Sequence, residues 1–388
     1  MLLEWNTEEQ SLYGHFKAIG IGIAARRREA QEGFDHDGWR RLQDEGLWRL
    51  AIPRSHGGEE KGWWAFTAAL EGLAAGIRTP ALLLSVIAQA GMIRAFTEYG
   101  SVLQKERYFG AILRGELSAT AIAEPTTGTD VRSIGTVLEK DGDGYRLSGS
   151  KFNIAHAPIA KFTLVVAKLA GADANNITLI VVDRDASGMC LGHPDSKFGN
   201  RDLPTGSITF DNTPVSSEQI LGKAGRGLQQ LIDIISLGRL YYGLVSASLI
   251  EPYLDEALDY IGSRQSFSEP IASHQYVQKR LVDVRIGIER ARWLAYASLD
   301  QLLNRRATGL MMCSIAKLVG ADGLIDSAIS LMKLHGSTGY HEGDLAVLTR
   351  DALGFASVGG TEEMHRKNIF NQMIRLRAHS LRASDAAA

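Results

Sequence analysis

The chain carries few of the side-chain groupings that usually do chemistry, which narrows what it can be. Its ten histidines never fall at a spacing that puts two on one face, so no metal site is expected. The two cysteines, Cys190 and Cys313, lie in ordinary apolar surroundings and read as reduced core residues rather than a redox pair. There is no P-loop, HExxH, CxxC or serine elbow. Gly20-Ile21-Gly22 has the look of a dinucleotide loop, but it sits inside a helical pattern with no strand before it. Gly336-Ser337-Thr338-Gly339 likewise lacks the strand-to-helix setting of a nucleophile turn. Three features remain. The run from Ala121 to Asp130, AIAEPTTGTD, is a glycine-containing loop rich in backbone donors and small hydroxyls, suited to gripping the edge of a ligand. Gly238 interrupts the helical stripe Leu228, Leu231, Ile235, Gly238, Tyr242, at a cost of roughly 1 kcal/mol against alanine. Room for a ligand or close helix packing would each explain it. For proton transfer the candidates are weak: Tyr242, a phenol with pKa near ~10, and His156, which can titrate near neutrality.

The elements that must position these residues change period twice along the chain. To about Glu116 the spacing is helical: Trp39, Leu42, Leu47 and Leu50 recur at one-turn intervals until Pro53 and Gly57-Gly58 end the run. Further helices are expected over Trp63 to Ala75, and at least two between Leu82 and Arg114. From Ser118 to Leu221 short β-branched runs alternate with turns. Asp141-Gly142-Asp143-Gly144 leads into a strand at Tyr145, Phe162 to Ala167 and Ile177 to Val182 read as strands, and Ser207 to Phe210 alternates. After Gly225-Arg226-Gly227 the helical period returns, with one stripe through Val277, Leu281, Val284, Ile288, Ala291, Ala295 and Leu302. A second runs through Ile315, Leu318, Ile325, Ile329 and Met332. The expected units are residues 1–117, helical; 118–225, β; and 226–388, helical.

Composition sets the outer limits. In 388 residues, 45% apolar and 22% charged with a formal charge of −2, there is no basic stripe for nucleic acid. No apolar run reaches the ~18 residues that span a bilayer. Glu4, Glu8 and Glu9 open the chain in place of a basic, then apolar, leader, so a cytoplasmic location is expected.

The motifs, taken in order, resemble the acyl-CoA dehydrogenase family. AIAEPTTGTD resembles its "TEPxxGSD" loop, and Leu147-Ser148-Gly149-Ser150-Lys151 its "LNGxK" strand. Gly199-Asn200-Arg201 through Phe210, Pro214-Val215 and Leu221-Gly222 resemble "GxR…vxFddvxVPxxxlLG". Arg264, Phe267 and Gln275 sit at "RxxFG…Q", with Ser268 in place of the glycine. His335 to Tyr340 resembles "hGGxGY", Arg350-Asp351 the arginine–aspartate pair beyond it, and Gly360 to Glu363 "GTxE". The resemblance runs from residue 46 to 370. It implies a mainly α fold with a central β domain: an N-terminal helical domain, a middle β-barrel or sandwich, and a C-terminal four-helix bundle. It also implies FAD as cofactor, held by Ala121, Ile122, Ala123, Thr129, Asn153, Ala155, Arg264, Ser266, Phe267, Gln275, Gly336, Ser337, Thr361 and Glu363. Arg264 would reach the pyrophosphate of a neighbouring subunit in a homo-oligomer, tetramer or dimer, and Thr361 doubles as a helix N-cap. Thr129, Gly238, Arg239 and Gly360 would face an acyl thioester on CoA or a carrier protein. Electrons would leave to an electron-transfer flavoprotein or to O2.

The departures bear on mechanism. The family's base is a glutamate before "GT" or, in a minority, before the arginine of the first C-terminal helix; here these positions are Gly359 and Gly238. Losing a general base typically costs ~10²–10⁴ in rate. Asn153-Ile154-Ala155 stands at "WIT", and Ala123 replaces a threonine, so shielding and donor groups near the flavin are missing. A dehydrogenase with an unrecognised base or an unusually acidic substrate is expected. A flavin-dependent oxygenase or oxidase of specialised metabolism is the alternative, and a catalytically silent flavin-binding subunit the third reading.

Overall fold

The computed structural model describes residues 5–27, 33–128, 130–172 and 176–387, with side chains as far as 378. Five helices come first: α1 (Thr7–Arg27), α2 (His36–Asp44), α3 (Gly62–Gly76), α4 (Ala81–Tyr99) and α5 (Val102–Leu113). Asp35 caps α2 by accepting the Gly38 N–H at 2.8 Å, and Ser101 with Gln104 forms a reciprocal capping box on α5. Of the glycines read as a false dinucleotide motif, Gly20 has a packing reason and Gly22 stands in open space. A Cβ on Gly20 would come within 2.6 Å of the Leu73 carbonyl oxygen, so α1 and α3 cross at backbone contact.

Helix α4 corrects one expectation. It is 19 residues long and, by length and composition alone, apolar enough to cross a membrane, although 78% of its most apolar window is buried in the fold. It is apolar on most sides because it is packed between α6, α3, α5 and the sheet rather than lying on the surface.

The strands follow: β1 (Ser118–Ala121), β2 (Val137–Asp141), β3 (Gly144–Ala155), β4 (Phe162–Leu169), β5 (Ile177–Asp183), β6 (Met189–Leu191), β7 (Thr205–Val215) and β8 (Ile220–Leu221). Their order is β6-β7-β3-β2-β4-β5-β8, with β1 parallel on β4 in the register Ser118 to Phe162. The period of two sorts side chains between two cores. Phe162, Leu164 and Val166 of β4 face the helices, whereas Val165 and Ala167 join Ala121, Leu147, Ile180, Ile208 and Phe210 in a separate core inside the sheet. Cys313 is buried as expected, but Cys190 is exposed: it lies on β6, an edge strand with no neighbour on its outer side.

The C-terminal part opens with α6 (Gly227–Ser263) and the hairpin β9 (Gln265–Ser266) to β10 (Glu269–Pro270). It continues through α7 (Gln275–Leu303), α8 (Gly309–Leu334), α9 (Asp344–Leu353) and α10 (Glu362–Ala387). The expected α7 stripe is buried from Leu281 to Leu302. The α8 stripe is displaced. Its buried face is Cys313, Ala316, Lys317, Gly320, Ala321, Leu324, Ala328 and Leu331, joined by Leu318 of the expected stripe, while Ile315, Ile325, Ile329 and Met332 are half-buried. Small residues face the seam because α6 and α8 touch backbone to backbone there: a Cβ on Gly320 would lie 2.9 Å from the Gly243 carbonyl oxygen.

Candidate functional site

The loop after β1 is locked from within. Glu124 is buried, and its carboxylate accepts hydrogen bonds from the Gly135 N–H (2.5 Å), the Thr136 N–H (3.0 Å) and hydroxyl (2.6 Å), and the Lys151 ammonium (2.8 Å). Burial alone would raise its pKa; the Lys151, Thr136 and Gly135 donors outweigh that and hold it below the usual carboxylate range. Lys151 also donates to the Ile122 carbonyl at 3.1 Å, and the Phe152 N–H donates to the Ala123 carbonyl at 3.0 Å. This pair was missed by sequence reasoning, although a lysine and a glutamate both inside quoted motifs were the available signal. The consequence is a fixed rim at Ile122 and Ala123, with Ala121 facing the sheet core so that only its backbone can serve a ligand. The Thr127 hydroxyl is buried without a partner among the described residues. Thr129 lies outside the described residues. Asn153, at φ +52°, sits in the β-bulge between Lys151 and Ile154, and half-buried Ala155 closes the strand.

Opposite lies the turn between α9 and α10. Both glycines at its tip have positive φ: +70° at Gly359 and +113° at Gly360. A Cβ on Gly359 would overlap the Tyr242 ring, with Cδ2 at 2.6 Å, so the phenol occupies the space in which a side chain at 359 would begin. Gly238 differs. A Cβ there would meet only Ile87 Cγ2 at 3.5 Å and Tyr242 Cε2 at 3.8 Å, ordinary contacts, so helix packing does not demand glycine. Burial pushes the Tyr242 phenol up to about 12, and its hydroxyl has no hydrogen-bond partner among the described residues.

Beneath the turn sits an unusual group of bases. Arg239 is buried with no carboxylate in contact among the described residues; its Nη2 lies 3.7 Å from the Met364 sulfur, its Nε has no partner, and burial lowers its pKa to about 10. His365 is buried and 3.2 Å from the Gly359 carbonyl oxygen, which can only accept, so Nε2 carries the proton and Nδ1 is left bare and unpartnered. Burial first, then the charges of Arg239 and Lys317, push His365 down to about 3. Lys317, lowered by burial to about 8, donates to the Phe355 carbonyl at 2.9 Å. Thr361 caps α10 through a weak 3.4 Å bond from the Met364 N–H, and Glu363 is solvent-facing.

The remaining predicted residues gather at one end of the bundle. Arg264 ends α6, exposed and without an ion-pair partner among the described residues. The hairpin beyond it turns through Phe267 (φ +54°) and Ser268 (φ +68°), so Ser268 keeps the left-handed backbone that a glycine would adopt at no cost. Phe267 is 92% exposed, Ser266 half-buried and Gln275 exposed at the start of α7. Stacking of Tyr260 on His335, centroids 4.4 Å apart, brings Gly336 and Ser337 to the same end. His156 joins neither group. It is fully buried at φ +66°, its Nδ1 3.0 Å from the Ser118 carbonyl and Nε2 2.8 Å from Ser85 Oγ, and burial lowers it to about 4. As a structural clamp between α4 and β1 it has no face open to a substrate.

Comparison with known proteins covers the whole architecture. Models of the acyl-CoA dehydrogenase N-terminal, middle and C-terminal domains match residues 21–116, 119–213 and 225–374. The chain is 27% identical over 340 residues to the 3-(aryl)acrylate reductase of Clostridium sporogenes, covering 87% of this chain and 89% of that protein. It is 28% identical over 359 residues to the cyclohexane-1-carbonyl-CoA dehydrogenase of Geobacter metallireducens, covering 92% and 93%. Among solved structures, the prolyl acyl carrier protein oxidase AnaB superposes with a TM-score of 0.89 at 25% identity, covering 95% of this chain and all of that one.

Proposed function

The chain belongs to the acyl-CoA dehydrogenase family, and we propose that it oxidises an acyl thioester without a carboxylate base at either of the family's two glutamate positions. It is an FAD-dependent oxidoreductase of that type. FAD supplies the hydride acceptor. The residues present fit this cofactor: a rim pre-set by Glu124 and Lys151, the orphaned buried Thr127 hydroxyl beside it, and at the bundle end the unpaired guanidinium of Arg264. In this reading Ile122, Ala123, Asn153 and Ala155 hold the ring end, and Arg264, Ser266, Phe267, Gln275, Gly336 and Ser337 serve the FAD of a second copy. Phe267 in the hairpin turn and Tyr276 in the first turn of α7 are both exposed at this end of the bundle, which gives such a homo-oligomer an apolar contact to use.

The observation that carries the proposal is steric. Tyr242 fills the space above Gly359, and among the described residues no other carboxylate takes the place of the missing one there. Tyr242, with its phenol at about 12, is a poor base at neutral pH, and His365 has its bare nitrogen held far below its usual range. The chain's own groups are therefore arranged to bind and orient a substrate and to exclude water. They suit a substrate whose α-proton is acidic enough to leave without a strong base.

Anaerobic mixing of the FAD-loaded protein with panels of CoA-bound and carrier-protein-bound acyl groups tests this. Bleaching of the flavin absorbance with thioester is expected. A specific observation favours a second reading, an oxidase or oxygenase passing electrons to O2: the likeness to the AnaB oxidase extends over the whole chain. Anaerobic bleaching followed by rapid reoxidation in air with release of peroxide would establish an oxidase, and no anaerobic bleaching, with product formed only from reduced flavin and air, an oxygenase. An electron-transfer flavoprotein is the acceptor under the first.

A further inference from the structure

Two good donors converge on a poor acceptor beneath the glycine turn. The Arg239 guanidinium and the Asn368 side-chain amide both point at the thioether sulfur of Met364, at 3.7 and 2.9 Å. A thioether accepts hydrogen bonds weakly, whereas guanidinium and amide N–H groups bind oxyanions strongly. Arg239 is 5% exposed with no acid in contact among the described residues, and a buried guanidinium without a counter-charge is costly. Lys317 feels the carboxylates Asp322 and Glu362 before it feels Arg239, and His365 is held neutral, so neither neighbour supplies Arg239 with a counter-charge. Met364 itself is unbranched and half-buried, and its methyl lies over Gly360, where a Cβ would overlap it. It is a side chain that can swing aside.

We propose that the Met364 sulfur stands where an anionic oxygen belongs, and that Arg239 and Asn368 form a subsite for a carboxylate borne by the acyl group of the substrate. The inference rests on the thioester reading above, because the subsite adjoins Gly360, which the family resemblance turns toward the acyl thioester. A carboxylate there accepts two parallel bonds from the guanidinium and one from the amide, and it neutralises the buried charge. The protein then selects acidic acyl thioesters over neutral ones of equal length.

The test compares binding of succinyl-CoA with butyryl-CoA, and of glutaryl-CoA with pentanoyl-CoA, to the FAD-loaded protein by calorimetry. The acidic member of each pair should bind about tenfold tighter or more, as expected for a charge-assisted bidentate pair. Arg239→Met should erase the preference while sparing FAD content, Arg239→Lys should keep part of it, and Met364→Ala should sharpen it. Without any thioester, Arg239→Met should melt at the same temperature as the parent or higher, because an uncompensated buried charge has gone. Equal affinity within each pair overturns the proposal. So does loss of FAD or a lowered melting temperature in Arg239→Met, which would make the arginine a cofactor or structural residue. If neither thioester of a pair binds, the thioester reading itself fails. The subsite is then judged by succinate and glutarate alone: raised melting temperature in the parent but not in Arg239→Met sustains it, and no effect overturns it.

Discussion

At the scale of single residues, the two glycines at the base positions are not equivalent. Gly359 needs a left-handed backbone and is roofed by Tyr242, whereas Gly238 has ordinary clearance on a helix. Gly359→Glu is therefore expected to install no base, and to lose about 1–3 kcal/mol from strain at positive φ, with the ring overlap adding to it. Gly238→Glu meets no clash at its Cβ, and the helix gains up to about 1 kcal/mol in propensity against the cost of a carboxylate at a buried position. Acyl-CoA oxidation by the two variants, measured alongside denaturant midpoints, should rank Gly238→Glu above Gly359→Glu, and Gly359→Glu should improve when combined with Tyr242→Ala. The reverse ranking would remove Tyr242 from its assigned place. His156 gives a pH prediction. Its folded pKa, about 4, lies below the unfolded ~6.5, so the unfolded chain binds the proton first as pH falls. Its contribution is fully present above ~6.5 and is lost progressively down to about 4. Melting temperature followed across that window should fall less steeply in His156→Gln than in the parent.

At the scale of elements, helix contacts are set by what is missing from side chains. The α6–α8 crossing depends on Gly243 and Gly320, each of which would drive a Cβ into the other helix's backbone. Gly320→Ala should cost about 1–3 kcal/mol in a denaturant titration, the usual penalty of overpacking. The same contact explains why Ile315, Ile325, Ile329 and Met332 of α8 are displaced from the seam. A hydrophobic period read along one helix assumes a partner at ordinary distance, and a backbone-close partner rotates the buried face toward alanine and glycine.

On the scale of the whole molecule, the ion-pair work lies between units far apart in the chain. Buried Glu71 of α3 is held by Arg292 of α7 at 2.7 Å and by the Tyr296 hydroxyl, and Arg292 also meets Glu251 of α6 at 2.6 Å. This network ties the first helical unit to the bundle without touching the candidate site. The bundle end is different, since Phe267 in the hairpin turn meets the His274 ring edge-on but stays 92% exposed, and Tyr276 of α7 is exposed beside it. Phe267→Glu is expected to shift the sedimenting species toward the single chain and to lower FAD retention, with circular dichroism unchanged. Retained assembly and retained flavin would remove the second copy from the cofactor site.

Much of this was legible in the order of residues. The change of period from 3.6 to 2 and back marks the helices and strands because burial on one face acts locally, within a few residues. The motif glycines and the glycines at both base positions are visible as letters, and they already imply a flavin frame lacking its usual carboxylate. Tertiary structure decided what those letters meet. Tyr242 is distant in sequence from Gly359 yet fills its space, His156 is sealed between α4 and β1 rather than facing a substrate, and Met364 lies against Arg239 in the space an anion would take. Such contacts join residues from separate elements, and no local period encodes them; only the closing of the chain on itself brings them together.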